Sequence, residues 1–457
     1  MQIDRFGLEV KTADDAAIAA FEAATQAVAA HKPGAGDAIG VALRAAPDFA
    51  AAHALAGFAN VMLARSETMS AARANLANAR LGLARVGGST DEASLVAALE
   101  RAARGGLAAA ADILDDRLKA RPEAFLLAKL AHALRFMTGD TMGMMTSVDG
   151  TLAALPTDHP GHGFLLGCRA FALEEMGAYD AAEQLGRQAV DIEPEDSWAI
   201  HAVGHVYEMT GRAADGLAWI EARRPTWSNC NNFALHMSWH AALLNLELGR
   251  VSHALALFDE EVWPRSSDDF RDMSNAVALL ARVEQFGVDV GARWAGPAAI
   301  AQARVKDATL TFAALHNLVA LVSAGRLDSA RDLVETLAAS GGVDDEQEDV
   351  RAYVGRPLAR AILGLADGGA SRVDFEHLLR ELPRVGGSNA QRDVFVRLLA
   401  RLASERRDGQ ALETVLATRR RLKRDDSFVA LARARFLASE RRASPVSLVT
   451  EAPRLIA

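Results

Sequence analysis

Glycines recur at a nearly fixed interval along most of this chain. Seven short helix-breaking turns each contain one, at Gly105, Gly139, Gly177, Gly211, Gly249, Gly287 and Gly325. The intervals between successive members are 34, 38, 34, 38, 38 and 38 residues. Three prolines, Pro122, Pro156 and Pro194, follow the first three glycines by 17 residues each. A period in this range indicates a solenoid built from helix–turn–helix units.

The two phase markers also indicate the kind of unit. Glycine adopts the positive φ of a tight turn between two helices, and proline cannot continue a helix interior. In the clearest unit Ala170, Ala182 and Ala189 supply small contacts between the helices, and Gly177 and Tyr179 form the turn. This punctuation is typical of a tetratricopeptide repeat. We therefore predict an all-α, right-handed α-solenoid of tetratricopeptide-like repeats.

The regularity of the pattern changes along the chain. We expect residues 1–457 to form one continuous solenoid, with less regular repeats over 1–123 and the most regular ones over 124–340. Residues 341–457 diverge and end in a charged capping helix, with Arg433 to Arg442 on its exposed face. The acidic run from Val343 to Val350 is interpreted as a solvated loop or a helix start.

Composition narrows the class of protein. Of 457 residues, 50% are hydrophobic and only 6% aromatic, which favours packed helices over sheets and excludes a disordered chain. The net charge of −9 gives no basic excess for phosphates, so nucleic acid is not expected as a partner. There is no long apolar stretch and no signal-peptide pattern, so no membrane partner and a cytoplasmic location are expected. A homodimer is an expectation from the fold class alone.

Histidines fall on one face of two consecutive first helices. With the turn glycine at position 15 of a unit, positions 2, 5, 9 and 12 face the concave groove. His201, His205 and Glu208 take positions 5, 9 and 12 of the Gly211 unit. In the next unit His236 takes position 2 and His240 position 6, again one helical turn apart. The four imidazoles and the carboxylate are expected to converge in one section of the groove.

Further side chains are expected to contact a ligand near the same section. They are Trp227, Asn232, Trp239, Asp272, His316, Gln391 and Arg392. Asp272 is expected to cap its helix, and His132 to lie in a helix interface rather than in the groove. Gln391 and Arg392 follow a sharp Gly-Gly-Ser turn. They either form an ordinary helix start or reach the groove as anion contacts.

Three interpretations of the histidines stay open. Pairs of imidazoles one turn apart can chelate zinc or iron, so all four histidines are candidate metal ligands. The zincin motif is absent, because Ala-Val-Gly stands between His201 and His205. A metal-free acid–base site oriented by Glu208 would also fit, as would a structural polar network. No phosphate-binding loop, dinucleotide fingerprint or nucleophile elbow is present in the sequence.

Several longer motifs resemble the tetratricopeptide repeat protein 38 family over nearly the whole chain. They include LEEMGAYDAAE, WAIHAVGHVYEMTGR, LHMSWHAALLNLELGR, GARW at 291–294, LHNLVALVSAGR and GGSNAQRDVF. Gly204 stands where alanine is commoner in that family. The resemblance implies an all-α repeat protein without an established activity. It also implies that the two histidine pairs, Trp227, Asn232, His316 and the GGSNAQRDVF segment form one site.

Two classes of function follow. The first is a binding protein whose concave groove holds a small polar ligand or peptide at a His/Glu/Trp-rich site, the common use of solenoid grooves. The second is an enzyme that uses the cluster for metal-dependent or metal-free hydrolytic or acid–base chemistry, which clustered titratable groups favour. In that case His201, His205, Glu208, His236 and His240 are the candidate catalytic residues.

Overall fold

The computed structural model describes residues 1–12, 14–339, 346–368, 372–424 and 426–443, with side chains described as far as residue 438. The α-helices in these ranges are α1 Asp15–Ala29, α2 Ala35–Ala45, α3 Ala50–Met62, α4 Ser66–Val86, α5 Thr90–Ala102, α6 Leu107–Leu118, α7 Phe125–Thr138, α8 Thr141–Leu152, α9 His162–Glu175, α10 Tyr179–Ile192, α11 Ser197–Met209, α12 Ala213–Ala222, α13 Arg224–Trp227, α14 Phe233–Glu247, α15 Val251–Leu257, α16 Phe270–Glu284, α17 Ala295–Ala303, α18 Thr311–Ser323, α19 Leu327–Ala338, α20 Glu346–Val350, α21 Arg356–Asp367, α22 Phe375–Glu381, α23 Asn389–Glu405, α24 Gly409–Leu422 and α25 Ser427–Ala443. Short π-helical turns span Phe258–Val262 and Arg351–Gly355, and 3₁₀ turns span Gly291–Trp294 and Leu382–Val385.

The prediction of an all-α solenoid is confirmed. Successive helices pack as antiparallel pairs, and the first helices α7, α9, α11, α14, α16 and α18 contact one another in chain order. The small exception is an antiparallel hairpin of β1 Gln2–Ile3 and β2 Glu9–Val10, which the sequence pattern did not predict. No helix in the described part of the chain combines the length and the apolar character that crossing a bilayer requires.

The turn glycines behave as the period predicts. All seven have φ between 69° and 94°, the left-handed region that a side chain disfavours. Pro122, Pro156 and Pro194 each lie between the second helix of one pair and the first helix of the next. The repeat is therefore encoded by backbone conformation at its turns as well as by apolar packing between its helices.

The first helices are more deeply buried than a groove-lining helix would be. Every residue of α11 is buried, whereas α10, a second helix, buries only one face. A solenoid with an open concave side would expose part of α11 to solvent. Something must therefore cover the concave side.

The C-terminal helices cover one end of it. The backbone N–H of Gly387 donates to Phe136 at 3.2 Å, and that of Arg424 donates to Met209 at 2.8 Å. Tyr179 donates its hydroxyl proton to the carbonyl of Leu422. These bonds hold the segment containing α23 and α24 against the C-terminal ends of α7 and α11 and the start of α10.

N-terminal segments cover the other end. The turn after α1 contacts the start of α14, where the Asn231 N–H donates to the His31 carbonyl at 2.8 Å. Lys32 donates to the Thr226 carbonyl at 2.9 Å, and Arg304 pairs with Glu67 at 2.8 Å. The predicted open groove is therefore an enclosed interior, because both divergent ends of the chain fold over it.

Two predictions for the C-terminal part fall only partly on described residues. For the acidic run, Glu346 begins α20, in line with the helix-start alternative, and its carboxylate accepts from the backbone N–H groups of Ala108 and Ala109. Residues 343–345 lie outside the described ranges. The predicted capping helix corresponds to α25, where Arg433 pairs with Glu413. The side chains at 439–442 are outside the described part.

Candidate functional site

Four histidines meet at one point between α11 and α14. The Nε2 atom of His201 lies 2.8 Å from that of His205, 2.9 Å from that of His236 and 3.1 Å from that of His240. The Nε2 atoms of His236 and His240 are 3.2 Å apart. His201 and His205 are one helical turn apart on α11, and His236 and His240 are one turn apart on the neighbouring α14. The sequence thus places four ring nitrogens around a single centre.

The cluster is shielded from water. His205, His240 and His201 are 0%, 1% and 2% exposed, and His236 is half-buried. The rings of Phe171, Trp198, Phe233 and Trp239 pack against the imidazoles and close the site laterally. Electrostatic interactions at the centre are therefore strong.

Three of the four histidines have a polar partner at the second ring nitrogen. His240 Nδ1 donates to Glu208 Oε2 at 3.2 Å, and His236 Nδ1 lies 3.0 Å from Asn275 Oδ1. His205 Nδ1 faces Glu174 Oε2 at 3.3 Å, although without the alignment of a good hydrogen bond. Partners of this kind hold the proton on Nδ1, so the Nε2 lone pairs point to the common centre.

Burial dominates the protonation of the cluster. It lowers the pKa of His240 to about 4, and those of His201 and His236 well below the ordinary value. Burial would also lower the pKa of His205, but the facing Glu174 carboxylate outweighs it and raises that pKa. Burial raises the pKa of Glu174 itself to about 7. Three of the imidazoles are therefore neutral at physiological pH.

The spacing of the nitrogens fits a metal ion. Four imidazoles around tetrahedral zinc, at about 2.0–2.1 Å from the ion, have nitrogens about 3.3–3.4 Å apart. Four of the six separations are 2.8–3.2 Å, shorter by only a few tenths of an ångström, and candidate ligand atoms of all four residues lie within 4.8 Å of one another. Small side-chain shifts suffice to admit an ion, so the four residues can hold one.

The structure brings some of the other expected site residues to this cluster. Trp239 is 0% exposed, and its ring centroid lies 4.7 Å from that of His240. Glu208 contacts the same histidine, as described above. His316 lies on α18 outside the cluster, where its Nδ1 bonds to the Phe312 carbonyl at 2.9 Å. His132 is buried between helices, where its ring packs against Phe171.

Three further candidates form hydrogen bonds with residues around the histidine cluster rather than with the histidines themselves. Trp227 donates its indole N–H to the Ile220 carbonyl at 2.8 Å. Asn232 donates to Asp272 at 3.2 Å. The expectation that Asp272 caps α16 is wrong, because Asp269 occupies the N-cap and accepts from the helix backbone. Asp272 instead ties the loop before α14 to the start of α16.

The Gly-Gly-Ser segment is a helix start that also reaches the periphery of the site. Gln391 forms a capping box with Ser388 at the beginning of α23. Arg392 pairs with Glu175 at 3.1 Å, next to Glu174 in the chain. Neither side chain enters the histidine cluster. Arg392 anchors the carboxylate pair beside it.

Sequence reasoning missed Glu174 and Asn275. Glu174 precedes the turn glycine of its unit by three residues, as Glu208 does in the next unit, so the repeat phase contained a signal for it. Asn275 has no such match. Its role follows only from the packing of α16 against α14.

Comparisons with known proteins show limited likeness. No family model matches the chain. A structure of a human IFIT1 dimer with m7Gppp-AAAA matches with a TM-score of 0.40 and 15% identity, covering 86% of this chain and 90% of that one. A monomeric IFIT1 mutant with the same ligand matches with a TM-score of 0.40 and 13% identity at the same coverage. Likeness at this level gives no information about what this chain binds.

The exclusion of nucleic acid from the partners does not stand. Its physical basis was too coarse, because a net charge of −9 averages over the whole chain and describes no particular surface or interior. The matched structures are themselves complexes with m7Gppp-AAAA, which is a property of those proteins.

Proposed function

We propose that this protein is a helical-repeat metalloprotein that binds one divalent transition-metal ion, zinc or iron, through Nε2 of His201, His205, His236 and His240. The observation that carries the proposal is the convergence of these four nitrogens within 2.8–3.2 Å of their neighbours. The motifs quoted above support membership of the tetratricopeptide repeat protein 38 family as part of the same proposal.

Electrostatics supports a cation at the centre. Lone pairs of neighbouring imidazoles repel one another when they face a common point, and a positive ion removes that repulsion. Neutral imidazoles contribute no charge, while Glu174 and Glu208 place two carboxyl groups directly behind the ring nitrogens. Carboxylates behind metal-bound histidines orient the rings and raise their basicity. Their combined charge, when both are ionised, balances that of a divalent ion.

The donor set limits the kind of metal. Imidazole nitrogen suits zinc, iron, copper and nickel, whereas magnesium and calcium prefer oxygen ligands. An enclosed interior also has little room for a peptide. The small polar ligand expected from the sequence is therefore best interpreted as the metal ion itself.

One observation favours metal-dependent acid–base chemistry as a second candidate function. The Nε2 atoms of His201, His236 and His240 form a triangle with sides of 2.9, 3.1 and 3.2 Å. Of these three, His205 brings its Nε2 atom within hydrogen-bond distance of that of His201 alone, and it faces Glu174 on its other side. Three protein ligands suffice for a catalytic metal, which would leave His205 with Glu174 as an acid–base pair.

Calorimetric titration of the chelator-treated full chain tests the metal proposal. We expect saturable binding of one Zn²⁺, or of one Fe²⁺ under anaerobic conditions, per chain. Replacing His236 by Ala should weaken that binding at least a hundredfold. His316→Ala is the matched control, because it removes a buried histidine outside the cluster. Absence of saturable binding, or equal binding by both variants, would contradict the proposal.

A further inference from the structure

A second group of buried polar side chains surrounds Trp198, beside the histidine cluster. Lys129 and His132 come from α7, Trp198 and His201 from α11, and His31 from the turn after α1. We call these five residues the Trp198 cluster. Ring centroids in it lie 4.9 Å apart for Trp198 and His201, 5.6 Å for Trp198 and His31, and 6.0 Å for Trp198 and His132.

Polar atoms in this cluster lack partners among the described residues. They are Nε2 of His31, both ring nitrogens of His132, Nε1 of Trp198 and Nδ1 of His201. Buried polar groups in folded proteins are almost always hydrogen-bonded, and an exception calls for a water or a ligand. Five such atoms on four adjoining side chains are more than ordinary packing leaves. This concentration of partnerless polar atoms indicates that a polar ligand binds here.

Lys129 indicates that this ligand is negatively charged. Its ammonium is buried and lies 5.8 Å from the Trp198 ring centroid. Among the described residues its one hydrogen-bond partner is the Cys168 sulfur, at 3.7 Å. No carboxylate in the described part of the chain lies within ion-pair distance of it. A buried ammonium without a close counter-ion is costly, so an anion beside it would be stabilising.

Asp196 does not fill this role. Its Oδ1 accepts the Trp198 backbone N–H as the N-cap of α11, and its Oδ2 lies against Gly167, where a Cβ would overlap it. Burial raises the pKa of Asp196 to about 7 although the Lys129 ammonium opposes that rise, so Asp196 is a partly charged counter-ion beyond ion-pair distance near neutral pH.

The hydrogen-bonding capacity of the cluster is rich in donors. Lys129 has three N–H groups, Trp198 has one that can only donate, and each imidazole can donate through one nitrogen. Acceptors are few, since the Lys129 ammonium and the indole offer none. The ligand must supply acceptor atoms, and a carboxylate supplies two oxygens with a negative charge. Water would satisfy the donors but would leave the ammonium without a counter-ion.

We infer that the Trp198 cluster binds a small carboxylate anion, held by the Lys129 ammonium and the Trp198 indole N–H, next to the histidine centre. The site goes beyond the proposed metal centre and does not require it. His201 belongs to both groups, because its Nε2 faces the other imidazoles and its Nδ1 is the partnerless nitrogen counted here. A carboxylate bound here would lie one imidazole away from the metal.

Binding of ¹³C-labelled formate and acetate to the full chain, followed by NMR line broadening at constant ionic strength, tests this inference. We expect saturable binding of at least one of the two. Lys129→Met keeps the length of the side chain and should weaken binding at least tenfold. Lys119→Met removes an exposed ammonium and should leave binding unchanged. Trp198→Phe keeps the ring without its N–H group and should weaken binding by a smaller factor.

The outcomes separate this inference from the metal proposal. Zinc binding that survives in Lys129→Met while formate and acetate binding is lost supports both. Saturable carboxylate binding in the His236→Ala variant supports the anion site even if metal binding fails. No saturable binding of either anion to the unmodified protein overturns the inference, and so does equal binding by unmodified protein and a folded Lys129→Met or Trp198→Phe variant.

Discussion

The protein buries histidines in two settings. His201, His205, His236 and His240 share a centre, whereas His132 and His316 lie outside that centre, between helices. Burial is similar in both, and it lowers the pKa of His240 and of His316 to about 4. Depth and pKa therefore do not distinguish a candidate site from a packed histidine. Convergence of ring nitrogens, with carboxyl groups behind them, does.

The largest expected effect is in the double variant His205→Ala, His240→Ala. It removes two ligands and should weaken zinc binding by at least a thousandfold in a competitive chelator titration. The groove register alone predicts an unchanged thermal melt. Because both side chains are fully buried, we expect instead a loss of about 2–4 kcal/mol in the free energy of unfolding of the metal-free protein. An unchanged metal affinity would show that the clustered histidines do not differ from the other buried histidines in binding metal.

Replacing Glu208 by Gln tests the carboxyl group behind a ligand. The amide keeps the shape but loses the charge that holds the proton on His240 Nδ1. Metal affinity should fall about 10–100-fold, the usual effect of such partners. Glu183→Gln, which changes a carboxylate outside the cluster, is the control. Equal affinities of the two variants would show that the carboxyl group does not tune the centre.

His316→Phe tests whether a buried histidine outside the cluster contributes to metal binding. This change removes one hydrogen bond, from the imidazole to the Phe312 carbonyl, and fills the same space with an aromatic ring. We expect metal affinity within twofold of the unmodified protein and a loss of about 1 kcal/mol in unfolding free energy, measured by denaturant titration. A large loss of metal would mean that the isolated histidine belongs to the site.

The smallest expected effect is the acid sensitivity conferred by His132. Burial lowers its pKa to about 3, below the ordinary value of 6.5 that applies in the unfolded chain. The unfolded state therefore binds more protons as the pH falls through 6.5, and stability is lost in that direction. Between pH 7.5 and 6 the loss should be about 1 kcal/mol or less. His132→Phe should remove it, and an identical pH slope in that variant would contradict this assignment.

Local sequence signals predicted the repeat and the histidine pairs well, because both depend on spacing within one unit. Gly177 and Gly211 need positive φ, and His201 and His205 need only one helical turn between them. Enclosure of the groove was not predictable in this way. It depends on contacts such as that of Arg424 with Met209, in which a C-terminal segment of weak periodicity meets a regular repeat.

The partners of the histidines show the same limit. Glu208 was predicted because it shares a helix face with His205, and Glu174 could have been found from its phase. Asn275 reaches His236 from a different unit, so its contact depends on how α14 and α16 pack. The cap of α16 was misplaced at Asp272 because several acidic residues precede that helix and local propensity does not separate them.

X-ray absorption spectroscopy of the zinc-loaded full chain, with quantification of bound metal, tests whether the four histidines coordinate a metal ion. We expect one zinc per chain with four nitrogen ligands at about 2.0–2.1 Å and the multiple-scattering pattern of imidazole rings. We also expect loss of that pattern in the His205→Ala, His240→Ala variant. A bound zinc coordinated mainly by oxygen or sulfur, or an imidazole pattern unchanged in the double variant, would contradict coordination by the four histidines.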